Sequence, residues 1–407
     1  MIKISSPVIY TSGDRTVMTA HIEDEYQKIN NDIYYSTPIE YGEYLCYDVT
    51  DAFVVGVLLP AARYEQDIVV DGAVSDRLFY NINNSILYTL ANVWKKKRVK
   101  LVAKEVKSIT FDSKAVGCGC SLGVDSFAAM LQHLGNPELP QFNITHLTYF
   151  NVGAMGYKNL EKAKQSFEKD LELVKKFAAK VNLPIVQLES NFSIMYEEFD
   201  FDQSGDIRNF SAVLALQKLF KKYLYGSSYP IKDFRFEISQ TGYYETLLAP
   251  LLSTESCEII IANPDLTRID KTKAVVGNEM AQETLYVCWK ELLANKYPDS
   301  EIAKIKDIFL NCSRCDKCLR TLLAIDILGY LDKFKNIFDI EHYKTVKDKY
   351  IAKVLYNKSH NAFYKDLFEL ITEYNYPISV KSKVYLFAYQ LKVYGIVNRV
   401  KSILKKK

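Results

Sequence analysis

Cys120-Ser121-Leu122-Gly123-Val124-Asp125-Ser126 separates two different patterns of apolar residues. Before it, Ala115-Val116-Gly117-Cys118-Gly119-Cys120 is small and apolar, as the end of a buried strand requires. After it, Phe127-Ala128-Ala129-Met130-Leu131 and, one turn on, Leu134 form an apolar face at helical spacing. The stretch therefore predicts a strand, a tight turn and a helix. A turn of Ser, Gly, Asp and Ser at a helix start offers backbone N–H groups and the positive end of the helix dipole. Such a turn is suited to an anion, and phosphate is the commonest one.

Downstream, strands and helices alternate. Ile144–Phe150 reads as the next strand. Leu160, Ala163, Phe167, Leu171, Val174, Ala178 and Val181 then lie on one face of a helix. Pro184–Leu188 reads as a strand, and a helix over Phe210–Phe220 is entered at Asn209. Tyr223–Tyr225 and Glu258–Ile261 are two further strands. Repeated strand–helix–strand units predict an α/β fold, a Rossmann-like (HUP-type) parallel sheet with helices on both faces. Ligands of such sheets bind beyond the carboxyl ends of the strands, where residues 121–126 fall.

Three regions are expected: an α+β domain over 1–110, the alternating domain over 111–330 and a helical region over 331–407. In the first region Lys3-Ile4, Tyr44–Tyr47, Phe53–Leu59 and Ile68–Val70 read as β-like, and Asp76–Trp94 as a helix. Lys95-Lys96-Lys97-Arg98 complements the carboxyl end of that helix. After Cys318 helices are expected over Leu319–Leu328, Phe363–Tyr374 and Val384–Leu404.

The 407 residues carry a net charge of +3, which does not indicate RNA or another nucleic acid as partner. No apolar run has membrane-spanning length and no signal-peptide pattern opens the chain, so a cytoplasmic location is expected. The eight cysteines include a tight Cys-x-x-Cys-x-x-Cys cluster, a pattern for metal rather than disulfides. The thirty tyrosines supply aromatic surface for a homodimer without locating an interface.

The 120–126 turn resembles the Ser-Gly-Gly-x-Asp-Ser loop of the PP-loop ATP pyrophosphatases, with Leu122 where that family has its first Gly. The Gly-x-x-x-x-Gly-Lys-Ser/Thr of kinase-like loops is absent from the sequence. Within the family, the order of phosphate loop, Arg-Asn, Lys segment and cysteine cluster most resembles the 7-cyano-7-deazaguanine synthases. The likeness spans roughly residues 113–325.

The resemblance assigns Ser121, Leu122, Gly123, Val124, Asp125 and Ser126 to the phosphates of ATP, with Asp125 helping to place Mg²⁺. Tyr149, Phe150 and Asn151 would lie against adenine, although two aromatics here are equally suited to a core. Arg208 is a candidate phosphate ligand beside Asn209, which is itself a good helix cap. In Thr267–Ala274, Arg268 and Lys271 are the candidates to stabilise charge on the departing pyrophosphate; Lys273 reads as a surface lysine.

Cys312, Cys315 and Cys318 have the spacing of ligands to one ion, and Cys288 is the best fourth, Cys257 a weaker one. Zn²⁺ is expected, and a [4Fe–4S] cluster is the alternative; the Cys-Pro that often closes a ferredoxin-like run does not follow Cys318. Cys118 and Cys120 read as small buried strand residues.

The implied activity is an AMP- and pyrophosphate-forming ligase. A carboxylate or amide oxygen of a small molecule attacks the α phosphate of ATP, and ammonia or another nitrogen nucleophile then displaces AMP. The alternatives are a PP-loop sulfur transferase acting on RNA or a small molecule, and a non-catalytic ATP-binding subunit.

Overall fold

A computed structural model describes residues 1–154, 160–288, 293, 300–305 and 308–391. The chain divides into two compact units: Met1–Ser121 with Ala129–Asp265, and Leu122–Ala128 with Leu266–Lys407. The dividing point falls inside the 120–126 turn.

The first unit is a mixed α/β structure with a single 11-stranded sheet and flanking helices. Its strands are β1 (Ile2–Ser5), β2 (Val8–Ser12), β3 (Arg15–Asp24), β4 (Ile29–Pro38), β5 (Ile68–Ser75), β6 (Leu101–Lys107), β7 (Ala115–Gly119), β8 (His146–Asn151), β9 (Ile185–Ser190), β10 (Phe220–Gly226) and β11 (Glu258–Ala262). They lie in the order β11-β10-β7-β8-β9-β4-β3-β1-β5-β6, with β2 paired to β3.

The run β11 to β9 is parallel throughout. An antiparallel pairing, Tyr35 with Ser190 and Ser36 with Glu189, joins it to the mixed strands before residue 110. The boundary expected at 110 is therefore no break in the sheet, because β6 and β7 belong to the same one. The boundary expected at 330 lies inside the second unit.

Of the β-like pieces expected before 110, β1 and β5 form, whereas Phe53–Leu59 is helical, inside Asp51–Arg63. Every residue from Asp51 to Ala62 is buried, so the run is apolar on all sides, and a fully buried helix and a buried strand then read alike. Gly56 permits the close packing of this helix: a Cβ there would stand 2.3 Å from the Phe192 ring. Tyr44–Tyr47 is not a strand either; a 3₁₀ turn over Ile39–Tyr44 precedes it. The helix expected over Asp76–Trp94 forms as two α segments, Asp76–Asn81 and Leu87–Trp94, joined by a π segment over Ile82–Ile86.

A buried polar network spans the sheet unit. Asp51 is fully buried; it accepts hydrogen bonds from the Ser75 N–H at 2.9 Å and Gln217 Nε2 at 3.1 Å. Gln217 Oε1 in turn accepts from Thr254 Oγ1 at 2.8 Å. Burial pushes the Asp51 carboxyl above its usual range against these donors.

The second unit is helical. Helices Arg268–Val276, Asp316–Ile327, Ile340–Asn357 and Ala362–Glu373 form a core of Ile269, Leu323, Ile351, Leu367 and Leu370, all buried. The helix expected over Val384–Leu404 is present at 380–391, and its remainder lies outside the described residues.

Candidate functional site

In the parallel run, chain order counted from β7 gives the spatial order 5-4-1-2-3. The direction of progression reverses at β7, so the turn that follows it leaves the sheet at the switch point. The Cys120 N–H donates to the Thr148 carbonyl at 2.9 Å and extends the β7–β8 pairing by one residue. A helix, Val124–His133, begins directly after Gly123, and Phe127 N–H donates to the Gly123 carbonyl at 2.9 Å. Ser126 Oγ donates to that same carbonyl at 3.1 Å. The strand–turn–helix expected from the sequence is thus present.

Leu122 has φ of +56°, the left-handed region that an L side chain enters at a cost of roughly 1–2 kcal/mol. It occupies the position where the resembled loop has Gly. Its side chain is wholly buried, and its carbonyl accepts from the Tyr286 N–H at 2.8 Å. Burial of a leucine contributes about 1.5–3 kcal/mol, enough to offset the backbone cost.

Asp125 in the first turn is held by two cations. Arg268 Nη2 stands 2.7 Å from Oδ2, and Lys271 Nζ stands 3.4 Å from Oδ1. The Lys271 side chain is 1% exposed, so this carboxylate offsets a charge that has almost no access to water. Arg268 and Lys271 open the helix Arg268–Val276, which Thr267 and Asp270 cap reciprocally: Thr267 Oγ1 accepts from the Asp270 N–H at 3.1 Å, and Asp270 Oδ2 accepts from the Thr267 N–H at 3.0 Å. Lys273 pairs with Glu373 at 2.9 Å on the surface, as its reading as a surface lysine requires.

Sequence reasoning missed Arg320. It sits on the helix Asp316–Ile327 with its guanidinium 4.0 Å from the centre of the Phe363 ring; Arg268 approaches the same ring at 5.8 Å. Burial, then the neighbouring Arg268 charge, push Arg320 below its ordinary range. The available signal was an arginine among Leu319, Leu322 and Leu323, two residues beyond the last cysteine of the cluster.

The remaining candidates lie in the sheet unit. Tyr149 stacks on Phe167 with centroids 5.1 Å apart, and its hydroxyl reaches Asp170 at 3.5 Å; burial first, then Asp170, push the phenol up. Phe150 stacks on Tyr223 at 6.1 Å, and Asn151 ends β8 half-buried.

The helix expected to start at Asn209 starts instead at Phe201, with Asp200 and Gln203 as its capping box. Asp200 and Gln203 are the stronger start signal, because they satisfy two N–H groups reciprocally. Asn209 is therefore mid-helix, its Nδ2 donating to the Gly205 carbonyl at 2.7 Å, and it does not cap. Arg208, 2% exposed, donates to the Val152 carbonyl at 3.2 Å and lies 4.1 Å from the centre of the Tyr196 ring. Gly153, at φ +98°, makes room for it: a Cβ there would stand 2.5 Å from Arg208 Nη1.

Four thiols converge in the helical unit. Cys288, Cys312, Cys315 and Cys318 bring their sulfurs within 4.8 Å of one another and are positioned to coordinate a metal ion. Cys288 and Cys315 are 3.9 Å apart, Cys312 and Cys318 3.8 Å. Ser313 takes φ of +54°, which folds the Cys-x-x-Cys back on itself. The N–H groups of Arg314 and Cys315 then donate to Cys312 Sγ at 3.5 and 3.3 Å, and that of Cys318 donates to Cys315 Sγ at 3.5 Å. The neighbouring thiols, Cys288 foremost, and the Arg314 N–H hold Cys312 well below the usual thiol range. Such donors stabilise thiolate, the form that binds metal. Cys257, the weaker fourth candidate, is buried in the core of the sheet unit and is not among the four. Burial pushes the Cys118 thiol up to about 12.

No helix among the described residues is long and apolar enough to cross a membrane. No family model matches the chain, and neither a curated protein nor a solved structure does.

Proposed function

We propose that this chain binds ATP and splits it into AMP and pyrophosphate, activating a carboxylate or amide oxygen of a small molecule for attack by ammonia or another nitrogen nucleophile. The observation that carries the reading is the reversal of strand order at β7, with the Gly123–Ser126 turn and a helix start directly beyond that strand. This arrangement supports reading the parallel strands as part of a Rossmann-like, HUP-type sheet, in which the switch point is the ligand site.

In this reading Ser121, Gly123 and Ser126 grip the outer phosphates, and the helix start supplies N–H groups and dipole. The substrate oxygen attacks the α phosphorus, and the α–β bridging oxygen leaves with pyrophosphate. Arg268 and Lys271 offset the charge that grows on that oxygen. Both already stand against Asp125, so their positions are set before the reaction. Asp125 would hold Mg²⁺, which when bound supplies charge neutralisation of the polyphosphate. Tyr149, Phe150 and Asn151 carry over from the family resemblance as the adenine segment.

The metal in this reading is Zn²⁺. Four thiolates about 2.3 Å from one ion, arranged tetrahedrally, stand roughly 3.8 Å apart. Two of the six sulfur–sulfur distances, 3.8 and 3.9 Å, match that edge, and all lie within 4.8 Å. A [4Fe–4S] cluster would interpose iron and sulfide and spread the thiols further.

Two observations favour a second reading, a subunit that binds ATP without turnover. Asp125 is engaged by two cations, and Leu122 replaces a glycine in the phosphate turn. A sulfur transferase would need a thiolate beside the nucleotide, and the buried Cys118 is poorly suited to that task. Incubation with Mg-ATP and a library of carboxylates, with AMP and pyrophosphate quantified, tests these readings. AMP formation that Asp125→Ala abolishes is expected. ATP binding with no AMP would select the non-catalytic subunit, and a brown protein containing iron would select sulfur transfer.

A further inference from the structure

Arg268 and Arg320 line a shallow hollow, open to solvent, in the helical unit, together with Thr272, Thr321, Phe363 and Asp366. No hydrogen bond or ion pair joins the Arg320 guanidinium to another described residue; its contact is the face of Phe363. Arg268 Nε is buried and has no partner among the described residues. A guanidinium carries five N–H donors in a fixed plane, and the buried Arg268 Nε is the one left without an acceptor at a cost. Thr272 Oγ1 donates to the Arg268 carbonyl and Thr321 Oγ1 to the Lys317 carbonyl, and neither oxygen accepts a hydrogen bond from the two guanidiniums. Asp316 is taken by Lys353 at 2.6 Å and by the Tyr364 hydroxyl at 2.9 Å.

We propose that this hollow is an oxyanion site in which Arg320 and Arg268 receive the pyrophosphoryl group. It rests on the AMP-forming reading for the source of that group. Arg268 and Arg320 are the two cations of the hollow, with Asp366 at its wall and Asp125 against Arg268. A multiply charged anion supplies the missing acceptors, and paired guanidiniums suit its geometry. The face of Phe363 holds the Arg320 guanidinium flat without competing for its hydrogen bonds. Arg320 is thus assigned to the departing group, one step beyond the contact that Arg268 makes with Asp125.

The test is direct binding of inorganic pyrophosphate to the metal-loaded full chain, with ATP, inorganic phosphate and benzoate as comparison probes. Pyrophosphate is expected to bind more tightly than phosphate or benzoate. Arg320→Gln is expected to weaken it by about tenfold or more, with partial recovery in Arg320→Lys. Equal loss for ATP would assign the site to the bound nucleotide, and loss confined to pyrophosphate to the released product. Either supports the site.

Because Arg320 is two residues from Cys318, a second measurement avoids variants. In the wild-type chain, pyrophosphate should protect Arg320 from an arginine-selective dicarbonyl reagent, read by mass spectrometry. Unchanged pyrophosphate affinity in a folded Arg320→Gln, unprotected Arg320, or preference for benzoate would overturn the proposal. Protection without any AMP formation would keep the site and remove the adenylation reading; AMP formation without protection would do the reverse.

Discussion

Replacing Leu122 by Ala and by Gly should reverse the usual order of these two substitutions. At most positions Gly is the less stable by roughly 0.5–1 kcal/mol, because it loses more backbone freedom on folding. Leu122 is different on two counts: its φ is +56° and its side chain is fully buried. Both substitutions remove the isobutyl group, at about 2–5 kcal/mol for transfer and cavity together. Ala keeps the left-handed strain of roughly 1–2 kcal/mol; Gly removes it. Against the entropic penalty of Gly, the balance leaves Leu122→Gly about 0.5–1 kcal/mol more stable than Leu122→Ala, with both below wild type. Urea unfolding of the three proteins at one pH, followed by intrinsic fluorescence and circular dichroism, measures the order. An alanine variant as stable as the glycine variant would refute the claim that the turn imposes a left-handed residue at 122. ATP affinity of the glycine variant should equal or exceed that of wild type, since the loop then has the backbone freedom of the glycine it replaces.

The other predictions concern single contacts. Cys315→Ala should abolish stoichiometric metal and lower the thermal midpoint, read by elemental analysis and calorimetry; full occupancy would remove Cys315 from the ligand set. Gly153→Ala should cost about 1–3 kcal/mol, because its φ of +98° and the Arg208 contact both forbid a methyl. Gly135→Ala, at φ +68° with open space around it, should cost less in the same unfolding assay. His133 and His146 are both pushed below 6.5 by burial, so each is neutral in the fold where the unfolded chain takes up a proton. Their contribution is fully present above pH 6.5 and is lost as pH falls toward the lowered values. Stability at pH 5.5 relative to 7.5 should therefore drop less in His146→Gln than in wild type. His21, raised by its hydrogen bond with Asp32, acts in the opposite sense, its contribution fading as pH rises through the raised value.

The elements legible in the sequence were those whose pattern admits one reading. β7, β8, β9, β10 and β11 are short apolar runs between long amphipathic or loop-like stretches, and helix Leu160–Lys180 shows its period over five turns. Asp51–Arg63 was misread because a helix buried on every side has no polar face to reveal its period. β3 and β4 were missed for the opposite reason. Their alternation, as in Thr16, Met18, Ala20 and Ile22 facing inward, is diluted by polar neighbours that only the long antiparallel pairing explains. The four cysteines were legible because metal-ligand spacing is a local constraint. Arg320 was not, since its role depends on Phe363 and Arg268, 43 and 52 positions away in the chain.

That dependence would give a metal ion bound by the four cysteines a role beyond stability. Cys315 is the N-cap of the helix Asp316–Ile327, and its sulfur accepts from the Cys318 N–H. An ion held by Cys315 and Cys318 would therefore fix the first turn of the helix that bears Arg320 one turn further on. Tyr350, Lys353 and Tyr364 hold Asp316 in that same turn. With the helix start so clamped, Arg320 would keep its place over Phe363 without a hydrogen-bonded partner among the described residues. Chelation should thus loosen Arg320 before it unfolds the unit. Dicarbonyl labelling of Arg320 should rise at chelator concentrations that leave far-ultraviolet circular dichroism unchanged. If labelling and unfolding rise together, the metal stabilises the unit as a whole and does not specifically position this arginine.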